Sequence, residues 1–193
     1  MTGKEKLFFD ENSIQMIIEN NIKKLYVMHN AERSLMERLS DLSTSNGGNI
    51  LEIGFGMGIC SDRIQENTNV ISHTIIEVHP EIYDKALNWA KNKSNVNIIL
   101  GDWINVLPTI TDIKFDGVLH DTCMDANIGK LIDTVKPLCN NNCIVAFFLN
   151  KENKDLKTLK HIFKEDEFER LPYKNICDDK DKSYDLKYIT INY

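Results

Sequence analysis

The chain has 193 residues, of which 42% are hydrophobic and 27% charged, and its formal net charge is −6. This length fits a single domain with a real core, since a domain of this size buries about 70% of its unfolded surface. The negative charge disfavours a generally basic nucleic-acid binder, and no apolar run approaches the ~20 residues that span a bilayer.

The N-terminus and the cysteines show no signal for export or metal binding. Residues 1–10 lack an apolar stretch followed by a small-residue cleavage site, so we expect a cytoplasmic protein. The five cysteines have scattered spacings, and Cys139 and Cys143 have no matching cysteine or histidine pair. This pattern predicts reduced, mostly structural thiols and no metal site.

The first part of the chain is predicted to be helical. Residues 11–43 contain two apolar series at helical spacing, beginning at Ile14 and at Leu35, and a turn at 45–48 follows. After the turn, short apolar runs alternate with helical segments, which is typical of βαβ units. The predicted strands cover 49–53, 71–77, 96–100, 115–120, 142–149, 166–171 and 186–192, and the predicted helices cover 58–67, 80–92, 126–136 and 152–164.

This alternation predicts an α/β fold: a Rossmann-like, seven-stranded, mainly parallel sheet with helices on both faces. The last two strands follow each other without room for a crossover helix, so we expect one antiparallel strand at the edge of the sheet. No linker or internal repeat divides the chain. We therefore expect one domain over 1–193, with a helical segment over about 11–43 at its N-terminus.

A glycine-rich turn follows the first predicted strand of this sheet. The strand Asn49–Ile53 runs into Gly54-Phe55-Gly56-Met57-Gly58, and a helix follows. Glycines here allow a sharp turn and close approach of a ligand, and ligands of open α/β sheets bind at the carboxyl ends of the strands. Glu77 ends the next strand about 20 residues later, where a carboxylate accepts hydrogen bonds from both ribose hydroxyls. These features suit S-adenosylmethionine or a nicotinamide dinucleotide.

The next two strands end in further candidate site residues. Asp102 and Trp103 follow the third strand, where an acid binds the adenine amino group and an aromatic ring stacks on the base. Asp121 ends the fourth strand. A nicotinamide oxidoreductase would leave these three residues without a role. They therefore favour S-adenosylmethionine, with Asp121 beside its methyl group.

Together these segments resemble class I S-adenosylmethionine methyltransferases. More narrowly, they resemble guanidinoacetate N-methyltransferase and the fungal-type protein arginine N-methyltransferases related to it. The resemblance lies in Leu51-Glu-Ile-Gly-Phe-Gly-Met-Gly-Ile59, Ile75-Ile-Glu77, Gly101-Asp-Trp-x-x-x-Leu-Pro-Thr109 and Phe115-Asp-Gly-Val-Leu-His-Asp-Thr122. Upstream, Val27-Met-His-Asn-Ala-Glu-Arg-Ser-Leu-Met36 resembles the family element Val-Met-x-x-x-Glu-x-x-x-Met.

The resemblance implies the cofactor, the reaction and the residue roles. The methyl donor is S-adenosyl-L-methionine, the product is S-adenosyl-L-homocysteine, and the acceptor is a guanidino group of a small molecule or an arginine side chain. Glu32 and Asp121 match the two carboxylates that hold the guanidino group, and Asp121 is the candidate base. The substrate site also includes His120 and Asn150. The implied cofactor-binding residues are Met28, Met36, Glu52, Gly54, Phe55, Gly56, Met57, Gly58, Ile59, Cys60, Glu77, Val78, His79, Asp102, Trp103 and Asp121.

Departures from the family pattern keep the acceptor open. The family has a tyrosine at the position of His120 and a small hydroxyl residue at that of Asn150, and the segment after Thr122 is shorter here. The alternatives are an acceptor with another amine, hydroxyl or carboxyl group, or a cofactor-binding, non-catalytic subunit that serves a partner protein. We expect no nucleic-acid or membrane partner, and the sequence is compatible with an oligomer.

Overall fold

The computed structural model describes residues 6–17, 24–123, 128–149, 168–174 and 181–191. Within these ranges the strands are β1 (Leu7–Phe9), β2 (Ser13–Ile17), β3 (Lys24–His29), β4 (Gly48–Ile53), β5 (Val70–Glu77), β6 (Val96–Leu100), β7 (Phe115–His120), β8 (Cys139–Leu149), β9 (Phe168–Lys174) and β10 (Asp181–Ile191). The α-helices are α1 (Arg33–Ser43), α2 (Ile59–Glu66), α3 (Pro80–Ala90), α4 (Trp103–Val106) and α5 (Ile128–Val135). Short 3₁₀ helices cover Asn30–Glu32, Leu107–Thr109 and Lys136–Leu138.

One sheet contains seven strands in the order β6-β5-β4-β7-β8-β10-β9. The first five strands in this order are parallel, and β10 is antiparallel to both β8 and β9. The predicted seven-stranded, mainly parallel sheet is confirmed, but the antiparallel strand is not at the edge. The apolar C-terminal half of β10 pairs with β8, whereas β9 contains charged residues and Pro172. Because proline cannot donate to the strand ladder, β9 suits the edge position.

Helices cover both faces of this sheet, because its central strands are apolar on both sides. Ile50 and Leu119 belong to a core cluster with residues of α1 and α2. Leu51 and Val118, their neighbours in sequence, belong to a cluster with residues of α5. Successive strand residues point to opposite faces, so the two clusters lie on opposite sides of the sheet.

The N-terminal segment forms a three-stranded antiparallel sheet, β1-β2-β3, and not the helix that its apolar spacing predicts. Of the helix expected over 11–43, the described residues contain α1 and the short 3₁₀ helix before it. The apolar residues of β2 fit a strand period as well as a helix period: Ile14 and Met16 are buried, and the residues that follow them are more exposed. Both join a core cluster with Phe55 and Ile82, so tertiary packing decides in favour of strands.

The helices after β4 agree closely with the prediction. Observed α2, α3 and α5 begin and end within two residues of the predicted bounds 58–67, 80–92 and 126–136. The helix predicted over 152–164 lies outside the described residues. In the part of the chain that the structure describes, every helix is too short or too polar to cross a bilayer.

Candidate active site

A cleft of about 290 Å³ lies at the carboxyl ends of β4, β5 and β7. The strand order reverses here, because β4 has β5 on one side and β7 on the other. The loops that follow neighbouring strands diverge at such a point and open a crevice for a ligand. The cleft wall is formed by Val27, Met28, Ile53, Gly54, Gly56, Ile76, Glu77, Val78, Ile82, Gly101, Asp102, Trp103, Ile104, Asp121, Thr122 and Cys123.

The glycine loop after β4 brings the backbone itself to the cleft. Gly54 and Gly56 have φ angles of +94° and +54°, which side chains rarely allow. A Cβ atom at Gly54 would lie 2.1 Å from the backbone oxygen of Asp121, and one at Gly56 would lie 2.7 Å from Cε of Met28. Sδ of Met28 accepts a hydrogen bond from the backbone N–H of Met57 at 3.2 Å. The loop therefore packs tightly between β3 and the end of β7: a side chain at Gly54 would clash with backbone, and one at Gly56 would displace the end of the Met28 side chain.

Glu77 ends β5 in the cleft wall and is 2% exposed. Its Oε2 accepts a hydrogen bond from the backbone N–H of Phe55 at 2.9 Å, and its Oε1 accepts one from the backbone N–H of His79 at 2.7 Å. Both oxygens are fixed, and each retains acceptor capacity because a carboxylate oxygen has two lone-pair sites. This geometry suits two neighbouring hydroxyl groups, such as those of a ribose.

Asp102 and Trp103 lie in the wall just after β6. Oδ1 of Asp102 accepts a hydrogen bond from the backbone N–H of Ile104 at 2.9 Å and so caps α4. The buried Trp103 ring packs edge-to-face against His120, with ring centroids 5.7 Å apart. His120 is not among the residues of the cleft wall, but its Nε2 lies 3.3 Å from Oγ1 of the wall residue Thr122, and its place in the substrate site stays a prediction.

Asp121 follows β7 and faces the cleft. Its backbone N–H donates to the carbonyl of Ile53 at 3.0 Å, so β4 holds it in place. Desolvation raises the pKa of Asp121 to about 8, and nearby carboxylates act in the same direction. These carboxylates are Glu32, Glu52 and Glu77. An acid with a pKa near neutrality is suited to proton transfer.

Glu32 ends the 3₁₀ helix that precedes α1. Its Oε2 accepts a hydrogen bond from the backbone N–H of His29 at 3.0 Å and closes a capping box. Glu32 is not part of the cleft wall, but its negative charge acts on Asp121. The two predicted substrate carboxylates, Glu32 and Asp121, are therefore close enough to interact electrostatically.

Several predicted residues are not part of the cleft wall, and some wall residues were not predicted. Met36, Ile59 and Cys60 are buried in the core cluster of α1 and α2. Asn150 lies outside the described residues. The remaining predicted cofactor residues that are not in the wall are Glu52, Phe55, Met57, Gly58 and His79. The wall residues to which the sequence analysis assigns no role are Val27, Ile53, Ile76, Ile82, Gly101, Ile104, Thr122 and Cys123. Most of these residues are next in sequence to a predicted site residue at the end of a strand. That proximity could have identified them as part of the cleft wall.

The chemistry of the wall fits the cofactor predicted from the sequence. Its acids accept hydroxyl and amino hydrogens, Trp103 offers an aromatic ring, and the glycines admit close approach. Among the residues described, no three or more histidine, cysteine, aspartate or glutamate side chains are grouped so that they could hold a metal ion.

The chain is similar to a known protein family and to several named proteins. A family model described as guanidinoacetate N-methyltransferase matches residues 9–128. Protein arginine N-methyltransferase 2 of Candida glabrata is 35% identical over 154 residues, covering 74% of this chain and 36% of that protein. The Saccharomyces cerevisiae protein of the same name is 34% identical over 133 residues, covering 63% and 32%. The chain thus spans about a third of the length of these curated relatives.

Solved structures share the fold at low sequence identity. N-methyltransferase NodS from Bradyrhizobium japonicum, in complex with S-adenosyl-L-homocysteine, has a TM-score of 0.62 and 20% identity, covering 83% of this chain and 87% of that chain. Spermidine synthase from Thermotoga maritima has a TM-score of 0.65 and 9% identity, covering 96% and 71%. The cleft described above therefore lies in a fold shared with both proteins.

Proposed function

Since the chain belongs to the guanidinoacetate N-methyltransferase family, we propose that it is an S-adenosylmethionine-dependent N-methyltransferase that acts on a guanidino group. The acceptor is a guanidinoacetate-like small molecule or an arginine side chain. The relatives named protein arginine N-methyltransferase 2 support the second of these. S-adenosyl-L-homocysteine is the expected second product.

The negative charge of the cleft is the observation that carries this proposal. The described wall contains Glu77, Asp102 and Asp121 and neither lysine nor arginine. Glu32 and Glu52 add negative charge close to Asp121. A sulfonium methyl donor and a guanidinium are both cations, which repel by about 4 kcal/mol at ~4 Å and an effective dielectric near 20. Glu32, and Asp121 once a bound cation has lowered its pKa, offset this repulsion, whereas Glu77 and Asp102 suit the ribose and adenine of the cofactor whatever the acceptor.

Two side chains of this protein perform the acid–base and positioning steps. S-adenosylmethionine, when bound, supplies an electrophilic methyl group. A guanidinium has a pKa above about 12 and no free lone pair, so a base must remove a proton as its nitrogen attacks. Asp121 accepts that proton. Glu32 and Asp121 bind the planar N–H groups of the acceptor and orient the attacking nitrogen toward the methyl group.

A methyl-transfer screen tests the proposal. The purified protein is incubated with S-adenosylmethionine and guanidinoacetate, arginine, agmatine or an arginine peptide, and mass spectrometry locates the new methyl group. We expect it on a guanidino nitrogen. Methylation confined to an amine, hydroxyl or carboxyl group would contradict the guanidino acceptor. Cofactor binding without transfer to these acceptors or to any component of a cell extract would support a non-catalytic subunit.

Variants of the two carboxylates test the residue roles. Asp121→Asn and Glu32→Gln should abolish turnover and leave the affinity for S-adenosyl-L-homocysteine, which lacks the sulfonium charge, within a few-fold. Asp41→Asn is the matched control, because Asp41 forms an ion pair with Arg63 on the surface of α1 and α2, away from the cleft. This control should retain turnover. Unchanged turnover in both site variants would remove the guanidino mechanism.

A further inference from the structure

Two buried thiols lie near the start of β8, at the end of the sheet away from the cleft. Cys139 is 4% exposed and Cys143 is completely buried. Both belong to the core cluster that also contains Phe115 and Val145. Methyl transfer in the cleft gives these nucleophilic side chains no part to play, so their pairing calls for a separate explanation.

A bulge in β8 brings the two thiols together. Between Cys139 and Ile144 the pairing of β7 with β8 advances by two residues on β7 and by five on β8. Within the bulge Asn142 has a φ of +66°, in the left-handed region that asparagine tolerates. Residues four apart in a regular strand are separated by roughly 13 Å. Here the thiol of Cys143 instead donates a hydrogen bond to the sulfur of Cys139.

Hydrogen bonds to neighbouring elements hold the bulge in this form. The side-chain amide of Asn140 donates to Oδ1 of Asp116 in β7 at 2.8 Å. The backbone carbonyl of Asn142 accepts a hydrogen bond from the side-chain amide of Asn46, in the turn after α1, at 2.8 Å. The two thiols are therefore held in contact by the fold. A pair that is already in contact loses little conformational entropy when it is cross-linked.

The two thiols differ in reactivity. The hydrogen bond from Cys143 lowers the pKa of Cys139, and the positive charge of Lys114 acts in the same direction against the effect of burial. The same hydrogen bond and desolvation raise the pKa of Cys143. Because the thiolate is the nucleophilic form, Cys139 is the thiol that reacts first, and Cys143 is placed to resolve the product.

We propose that Cys139 and Cys143 form a modification site, at which a small hydroperoxide such as hydrogen peroxide converts the two thiols to an intramolecular disulfide. The sulfur of Cys139 attacks one peroxide oxygen, the O–O bond breaks, and the thiol proton leaves with the other oxygen as water. The sulfur of Cys143 then bonds to that of Cys139, the S–O bond breaks, and the proton of Cys143 leaves with the hydroxyl group as a second water molecule. The thiols lose two electrons and the peroxide gains them. This inference does not depend on the proposed methyl transfer.

Peptide mass spectrometry tests the inference on the unaltered chain. The native protein is treated with hydrogen peroxide, catalase removes the excess, and the remaining thiols are alkylated in urea. Both cysteines lie in the tryptic peptide 131–151. This peptide should lose two hydrogen atoms and take up no alkyl label, and dithiothreitol added before alkylation should restore both labels. Cys60 is the internal control, because it is also buried, lies in the other core cluster and has a pKa that burial raises. It should remain fully alkylated.

Variants test the order of the two steps. Cys143→Ser should leave Cys139 as a sulfenic acid that dimedone traps, whereas Cys139→Ser should show about tenfold less dimedone on Cys143. Lys114→Gln should slow disulfide formation several-fold. Lys130→Gln, at another exposed lysine, is the matched control and should not slow it.

The outcomes that contradict the inference are equally specific. A peptide 131–151 that keeps both labels, or that loses them no faster than Cys60 does, would overturn it. Equal dimedone labelling of the two cysteine variants would overturn the assignment of Cys139 as the attacking thiol. If a variant does not fold, the experiment on the unaltered chain still decides whether the disulfide forms.

Discussion

Binding of a cation to the cleft should release a proton from Asp121. Its pKa is raised to about 8, so at pH 7 roughly nine molecules in ten carry the proton. An opposite charge within ~4–6 Å lowers the pKa of a carboxyl group by about 1–3. If S-adenosylmethionine lowers it by about 2, roughly one molecule in ten stays protonated at pH 7. Binding should then release roughly 0.8 proton.

Isothermal titration calorimetry measures this number directly. The observed enthalpy is recorded at pH 7 in phosphate and in imidazole, which differ in ionisation enthalpy, and the difference gives the protons released. S-adenosyl-L-homocysteine lacks the sulfonium charge and should release fewer protons. At pH 9 the count should fall, because Asp121 is then ionised in roughly nine molecules of ten before any ligand binds.

Asp121→Asn supplies the control, because it keeps the shape of the side chain and cannot titrate. The amino group of the ligand contributes equally to both proteins, so the difference between them isolates Asp121. Equal proton counts for the wild type and Asp121→Asn would refute the reasoning. Such a result would mean that Asp121 does not change its protonation on binding, either because it is already ionised at pH 7 or because the ligand does not shift its pKa.

Four further outcomes are expected. Asp121→Asn should raise the thermal unfolding midpoint of the ligand-free protein at pH 8 but not at pH 4. Ionising the buried Asp121 destabilises the folded protein, so stability is lost as the pH rises from the ordinary pKa of 3.8 to the raised pKa of about 8. Equal effects of the substitution at both pH values would contradict this. Glu32→Gln removes one repelling charge, so more of the ligand-free protein should have Asp121 ionised at pH 7 and S-adenosylmethionine binding should release fewer protons than in the wild type; an unchanged proton count would contradict the coupling. Gly54→Ala should destabilise the protein and weaken cofactor binding in calorimetry, since its Cβ would lie 2.1 Å from the backbone oxygen of Asp121; wild-type affinity would refute this packing. Leu39→Ala should cost about 2–5 kcal/mol in urea unfolding because Leu39 is completely buried, whereas Leu87→Ala, at a half-exposed position, should cost far less.

Much of the central sheet and of the cleft could be predicted from the sequence. Parallel strands need crossover helices, so the alternation after Gly48 leaves few possible topologies. The carboxyl ends of such strands meet at one edge, which is why the strand pattern alone places Glu77, Asp102 and Asp121 together. The glycine loop was recognisable because its positive φ angles are a local backbone requirement.

The N-terminal sheet and the order of the last strands could not be predicted in this way. Ile14 and Met16 satisfy a helix period and a strand period alike, and their contacts with Phe55 and Ile82 choose the strand. Likewise β10, and not β9, lies next to β8 in the sheet, because the apolar half of β10 pairs with β8. Pro172 makes β9 suitable for the edge. Both choices depend on partners that are distant in the chain.

The sequence by itself therefore determined the fold class and the acidic strand ends, because local periodicity and backbone geometry are encoded by neighbouring residues. Only the tertiary structure decided how the site is charged. The raised pKa of Asp121 needs its own desolvation and the convergence of Glu32, Glu52 and Glu77 from three separate elements. Charge and desolvation act through space, so no local pattern records them.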